Sequence, residues 1–387
     1  LLLFTLILTG LGSLYNAFVP DYTNFVIARA ITGLGIGADL ALVNAYINEV
    51  APNAGRARYT SLIFILSALG AFLGIWLGLI LTTPPAPFPV GLSFAAAGPA
   101  FKGMGWRIMY GIGALLALVG VLLRAQLPES PRWLISRGHV NAADKVVTDM
   151  ETRARRKGAD LPAPAAEIAV QSGATKIPYL EIFGNRLYLG RTVLLVVVWF
   201  LGYVTVYAIA QGLTSLLDGL KYPPPESGMI VAFGTFGFII TAIFAYFFGE
   251  RLERKLWLPV AALLTLIGGV LIAVAGPGNF GFAAIGSIVL FFGFNLWVPM
   301  TYTWSTENYP TRARATGFAL VDGIGHLGGG VGILVIAPLI PTLLTSFGLG
   351  TGAIVLFVII AAFLIVAAII AQFGTATRNK RLDEVSP

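Results

Sequence analysis

Long apolar stretches alternate with short polar ones along this chain. The apolar stretches recur at about 20 residues, the length of a helix that crosses a bilayer. Ten of them fall at 1–19, 24–48, 59–82, 106–126, 192–216, 228–249, 256–275, 280–304, 315–340 and 349–373. Runs this long and this poor in charge predict membrane-spanning helices rather than strands or core helices. Two connections are long: 83–105 is rich in Pro, Gly and Ala, and 127–191 is polar and basic. Within the second, Val140, Ala143, Val147 and Met150 recur at helical spacing among charges. That pattern predicts an amphipathic helix lying against the bundle or the membrane surface. Residues 158–175 read as a flexible linker.

Composition supports the same picture. Of 387 residues, 57% are hydrophobic and 11% charged, against about 25% charged in a soluble domain. There is not enough charge for a polar skin, so the lipid bilayer is the expected partner and solvent. Cysteine is absent and only His139 and His326 are histidines, so disulfides and thiolate or His-rich metal sites are excluded. No metal and no cofactor is expected. The net charge of +7 raises nucleic acid as a partner, but the charges are distributed otherwise. Threading ten spans places 21 of the 25 Lys and Arg on one side, the exceptions being Arg29, Lys102, Arg107 and Lys221. By the positive-inside rule the basic loops and the C-terminus are expected in the cytoplasm, and no nucleic-acid partner is needed.

The chain repeats itself. Glu49-Val-Ala-Pro52-Asn-Ala-Gly-Arg56-Ala57 and Glu307-Asn-Tyr-Pro310-Thr-Arg-Ala-Arg314-Ala315 both read E-x-x-P-x-x-x-R-A, each between two spans. Two related halves are therefore expected: residues 1–127, a basic linker over 128–191, and a six-helix half over 192–374, followed by a tail over 375–387. Four spans precede the linker and six follow it. Leu1 is not an initiator Met, and equal halves would require two further spans at the front, twelve in all.

Three motifs carry a resemblance. They are Pro128-Glu129-Ser-Pro-Arg132-Trp-Leu134 with Arg137-Gly138, Arg29-x-x-x-Gly33-x-Gly35-x-Gly37 leading to Glu49 and Arg56, and Gly249-x-x-x-Glu253-Arg254-Lys255. Together they resemble the sugar porters and organic-ion transporters of the major facilitator superfamily over the whole chain. The resemblance implies an all-α membrane protein, a two-half helical bundle whose ten visible spans correspond to family helices 3 to 12. It also implies alternating access rather than enzymatic chemistry, by a chain working as a monomer. Tyr302-Thr-Trp-Ser-Thr-Glu307 is similar to the organic cation and anion transporters and their bacterial metabolite-transporting relatives. The span beginning near Trp199 departs from the sugar porters, which carry a Gln-Gln pair and an Asn there.

Charged or titratable residues inside a span are costly and mark function. Away from the span ends these are Asp39, Asp322 and His326. Asp39 lies ten residues before Glu49 and His326 twelve after Arg314, depths of about 15 and about 18 Å at ~1.5 Å per residue. Both are near the middle of a ~30 Å core, where transporter sites lie. Asp39 is read as a proton carrier or else as a structural pair. Asp322 and His326, at i and i+4, share a helix face and read as a proton or substrate site, or as an internally neutralised pair. Trp199, Tyr203, Tyr207 and Gln211 recur every fourth residue as one stripe that lines a cavity or packs. Asn295, Trp297 and Tyr302 are further candidates. Glu49, Arg56, Glu129, Arg132, Glu253, Arg254, Glu307 and Arg314 sit at helix ends, as an inner-gate lock or as a solvated rim. Gly33, Gly35, Gly37 and the stripe Gly70, Gly74, Gly78 are expected to pack helices. Gly323-Ile-Gly325-His-Leu-Gly328 matches a dinucleotide fingerprint but lies inside an apolar span with no strand before it, so it is not one.

The functional expectation is a secondary active transporter for a small organic ion or metabolite, coupled to protons and leaning to organic anions. An uncoupled facilitator of sugar or metabolite and a transport-inactive sensor are the alternatives. The short tail, Thr375 to Pro387, favours transport. No N-x-S/T sequon occurs, which favours a prokaryotic inner membrane.

Overall fold

The computed structural model describes residues 2–50, 56–83, 85–92, 103–129, 131–136, 138–158, 178–310, 313–378, 380 and 385–386. Helices stand at every position the apolar pattern marks: α1 (Leu2–Phe18), α2 (Tyr22–Val50), α3 (Arg56–Thr82), α4 (Gly105–Arg124), α5 (Pro131–Ser136), α6 (Val140–Arg156), α7 (Pro178–Gly184), α8 (Arg186–Ala210), α9 (Leu213–Gly219), α10 (Pro224–Phe248), α11 (Trp257–Ala275), α12 (Phe280–Glu307) and α13 (Arg314–Ala371). Seven helices among the described residues are long and apolar enough to cross a membrane. The last, α13, has 58 residues. At ~1.5 Å per residue it would measure almost three bilayer cores, so it is two spans. They divide at Gly348, whose φ of 77° is a left-handed conformation that a side chain disfavours.

The expected span 192–216 is corrected. Its helix starts earlier, where Asn185 caps α8 by accepting the Leu187 N–H at 2.9 Å, an arrangement that satisfies an otherwise orphan donor. It ends at Ala210, with Gln211 as its C-cap, and Leu213–Gly219 forms a separate short helix. The span expected at 228–249 likewise starts earlier, at Pro224, in the first turn, where a missing N–H costs nothing. The amphipathic helix is present as α6, with Ala143 buried and Val140 exposed.

The chain forms two compact units. The first comprises residues 1–60 and 110–177. Its α1 and α2 approach closely because each offers a glycine to the other. A Cβ at Gly12 would stand 2.9 Å from the Thr32 nitrogen, and one at Gly35 would stand 2.8 Å from the Thr9 nitrogen. Polar side chains in this unit donate to nearby acceptors, although Asn16 Oδ1 is buried with no partner among the described residues. Asn16 donates to the Gly12 carbonyl at 2.8 Å and to the Thr32 hydroxyl at 3.3 Å, and Ser13 donates to the Tyr110 carbonyl at 2.9 Å. At the start of α2, Asp21 accepts from the Asn24 N–H at 2.9 Å. That bond and the Asn24 side chain hold the Asp21 carboxyl below its usual range.

The second unit comprises residues 61–109 and 178–387. It unites most of α3 with the helices after the linker, so packing divides the chain differently from the repeat. The reason is aromatic. Phe72 lies 5.0 Å from Phe236, Trp76 lies 5.6 Å from Phe233, and Phe64 lies 5.4 Å from Tyr302, ring centre to ring centre. Edge-to-face pairs of this kind add to ordinary burial. Of the six glycines expected to pack helices, Gly35 and Gly78 do so, the latter 3.1 Å from the Met109 sulfur. At Gly33, Gly37, Gly70 and Gly74 a Cβ would meet nothing within 4 Å, so the 70–74–78 stripe makes close contact at one end only.

Candidate functional site

The site in the second unit starts from a glycine ridge. A Cβ at Gly332 would stand 2.9 Å from Val204 Cα, one at Gly325 would press on Trp199, one at Gly329 on the Tyr207 ring, and one at Gly328 on the Phe200 backbone. Without side chains along this face, α13 lies directly against α8, and their long side chains meet. Tyr203 donates its hydroxyl to Asp322 Oδ1 at 2.9 Å, and its ring lies 4.1 Å from the His326 ring, with Tyr207 at 5.9 Å. His326 Nδ1 is 2.8 Å from the Asp322 backbone carbonyl and 3.5 Å from Asp322 Oδ1. A carbonyl only accepts, so Nδ1 carries the hydrogen, and Nε2 is the other ring nitrogen. Asp322 and His326 are therefore brought together as their spacing predicts. The carboxylate is 13% exposed and the imidazole 31%.

Helix α12 supplies the wall behind them. Trp297 lies over Gly202, 5.0 Å from Trp199, and Trp199 donates to Ser305 Oγ at 2.8 Å. Both tryptophans are 0% exposed, so they build the wall and do not face a solute. Tyr302 stands edge-on to Trp199 at 5.1 Å and packs on Phe318 at 4.9 Å. Tyr207, Tyr302 and His326 are half-buried and form the reachable face. Gln211 leaves the stripe because α8 ends before it, and it is exposed. Asn295, two residues from Trp297, sits about 200° around the helix and off this face. Two polar atoms in the wall, Trp297 Nε1 and Thr301 Oγ1, are buried with no hydrogen-bond partner among the described residues.

In the first unit, Asp39 is half-buried and accepts from the Thr5 hydroxyl at 3.1 Å. Arg29, the structural partner considered for it, lies instead 5.9 Å over the Tyr110 ring.

The rim charges satisfy helix ends. Arg314 donates to the Thr306 carbonyl at 3.0 Å and Arg191 to the Asn308 carbonyl at 3.1 Å, both at the C-terminus of α12. Cations belong there, where carbonyls are unpaired and the helix dipole is negative. Arg254 pairs with Glu250 at 2.8 Å and with Glu307 at 3.5 Å. Glu307 also accepts the Thr377 hydroxyl, and Glu253 accepts the Thr377 N–H at 3.0 Å. These partners tie the tail to the same unit. In the first unit, Glu129 makes a 3.8 Å pair with Arg124. The side chains of Glu49, Arg56 and Arg132 lie outside the described residues. Nearby, Tyr309 is fully buried, and burial pushes its phenol up to about 12. Sequence reasoning missed the glycine ridge, Ser305, Thr5 and Thr377. The ridge was visible as closely spaced glycines, but that spacing suggested only a nucleotide motif.

The chain belongs to the sugar (and other) transporter family, whose model matches residues 1–387. It is an all-α, multi-pass secondary transporter of the major facilitator superfamily. Among its relatives, the niacin transporter NiaP of Acinetobacter baylyi is 28% identical over 387 residues, covering 98% of this chain and 80% of that one. The arabinose-proton symporter of Bacillus subtilis is 27% identical over 408 residues, covering 98% and 78%. The fold matches the proton:xylose symporter XylE of E. coli with a TM-score of 0.67 at 19% identity, over 99% of this chain and 81% of that one.

Proposed function

We propose that the chain is a proton-coupled symporter of a small organic anion, with Asp322, His326 and Tyr203 as its charge-sensing site and Asp39 as a second proton carrier. One observation carries the reading. The ring of His326 is held by its own helix at Nδ1 and lies tilted against the Tyr203 ring, so a proton on Nε2 would turn a neutral ring into a cationic one without moving it. An anion is held while the proton is present and loses that attraction when the proton leaves, which couples the two releases. The half-buried rings of Tyr207 and Tyr302 supply flat apolar surface for the rest of the solute. The relation to a niacin transporter supports an organic acid, and the relation to an arabinose-proton symporter supports proton coupling. The distribution of Lys and Arg supports basic loops and C-terminus in the cytoplasm, and the repeat supports two halves joined by the 128–191 linker.

The test is ligand affinity of the purified protein from about pH 5 to about pH 9, the range in which imidazole titrates. Niacin is the first anion and arabinose the neutral comparison, each measured for wild type, His326→Gln and His326→Asp. Niacin affinity is expected to fall as pH rises in wild type, to lose its pH dependence in His326→Gln, and to be weakest in His326→Asp. Three overlaid curves, or arabinose bound in preference to the anion, overturn the proposal.

A further inference from the structure

Away from this site, α11 and the second arm of α13 enclose a trough of about 320 Å³ between Pro259, Ala262, Leu263, Leu266, Ile365, Ala368, Ile369 and Gln372. Its shape follows from residue size. Ala262 and Ala368 are buried and short, so they form a floor, while Leu263 and Ile369, each 58% exposed, stand up as walls. The lining is apolar except at Gln372. A dry apolar space of this kind does not hold water well, and on two membrane-spanning helices its surroundings are lipid. The volume is at the small end for a ligand pocket, which suits one chain of an amphiphile rather than a whole solute.

One end carries charge. Lys255 lies one turn before Pro259, and its ammonium donates to the Gln372 carbonyl at 2.8 Å and to the Gly374 carbonyl at 2.9 Å. Those bonds hold it beside the residue that closes the trough. An ammonium has three hydrogens, of which these two bonds use two. An apolar slot ending in a fixed cation has the order of parts of a phospholipid: acyl chain, then phosphate.

We propose that this trough is a binding site for an anionic glycerophospholipid, with one acyl chain between Leu263 and Ile369 and the headgroup phosphate at Lys255. The occupant is a lipid rather than free phosphate because the recognition surface is mostly apolar, with the cation only at its end. The test uses purified full-chain protein with a phosphatidylglycerol that carries a photoreactive diazirine in its acyl chain. Labelling is expected to concentrate in residues 259–266 and 365–372. Leu263→Trp and Ile369→Trp sit on the lipid-facing surface, where the fold tolerates them, and fill the slot, so each should remove that labelling. Lys255→Gln should lower labelling by phosphatidylglycerol about fivefold, the weight of one basic residue on an anionic headgroup, and leave labelling by a diazirine diacylglycerol unchanged. Millimolar inorganic phosphate should compete poorly. Labelling spread evenly over the lipid-facing helices, or unmoved by either Trp variant, makes the trough part of ordinary lipid contact and overturns the proposal. Full competition by inorganic phosphate overturns the lipid assignment.

Discussion

Gly328→Ala adds one methyl group at the closest approach of α13 to α8. The new Cβ would stand 2.8 Å from the Phe200 carbonyl carbon and 2.9 Å from its Cα, and nearer still to the carbonyl oxygen. All three are backbone atoms, so no side-chain rotation relieves them. Carbon contacts settle at about 3.5–4.0 Å, so α8 has to retreat by about 1 Å. The Tyr203–Asp322 bond, now 2.9 Å, then stretches beyond the hydrogen-bond range. Overpacking costs about 1–3 kcal/mol, and losing a bond to a charged group costs about 1.5–3 kcal/mol. Alanine returns about 1 kcal/mol as a better helix former than glycine. The net loss is about 1.5–5 kcal/mol. Gly330→Ala is the control, since a Cβ there meets nothing within 4 Å and only the propensity gain applies. Thermal unfolding in detergent, followed by the emission of the buried tryptophans, should put Gly328→Ala below wild type and Gly330→Ala level with it or above. Equal midpoints for the two variants would refute the ridge as the element that sets the α8–α13 distance.

Three further outcomes are expected. Asp39→Asn keeps the shape beside Thr5 and removes titration, so uphill accumulation in proteoliposomes should collapse to equilibration while exchange persists; full accumulation takes Asp39 out of the mechanism. Glu307→Gln keeps an acceptor for Thr377 but loses the Arg254 charge pair, and Thr377→Val loses the hydroxyl. Each should weaken the tail by about 1 kcal/mol and speed tryptic cleavage at Arg378, whereas unchanged cleavage leaves these groups as rim charges. Cysteine at exposed Thr148 on α6 should be protected from an impermeant thiol reagent in intact cells while one at Val90 reacts, and the opposite pattern reverses the proposed orientation.

The spans were legible because the bilayer imposes one long-range demand, that about 20 successive residues be apolar, and a window over the sequence measures it directly. What breaks a span was legible in part: the gap between 315–340 and 349–373 marks the division at Gly348, whereas the span expected at 192–216 ran through the Gln211–Gly212 turn. The Asp322–His326 pairing was legible because i, i+4 neighbours meet within one helix. Tyr203 as its partner was not, since that contact spans 119 residues and depends on which helix the glycines admit. The tail illustrates the same limit. Thr377 reads as an ordinary polar residue until it is placed 70 residues away against Glu307.

The partners of three of the buried or half-buried acids differ in what they let a carboxyl do. Asp39 is met by the Thr5 hydroxyl, Asp322 by the Tyr203 hydroxyl and an imidazole, and Glu307 by the Thr377 hydroxyl and the Arg254 guanidinium. A hydroxyl donates to a carboxylate and, after rotation, accepts from a carboxylic acid, so a proton arrives or leaves without stranding its neighbour. An imidazole is not a permanent cation, so it does not bind its neighbour to one charge. A guanidinium differs: it stays cationic at every working pH, and protonating its partner leaves a charge buried with less compensation, which is costly. Glu307 keeps a fixed counter-cation in 7%-exposed Arg254 and a bond to the tail at Thr377, while burial raises its carboxyl above the usual range. Asp39 and Asp322, the proposed carriers, meet hydroxyls that can serve either protonation state, and a carrier of protons has to occupy both in each cycle.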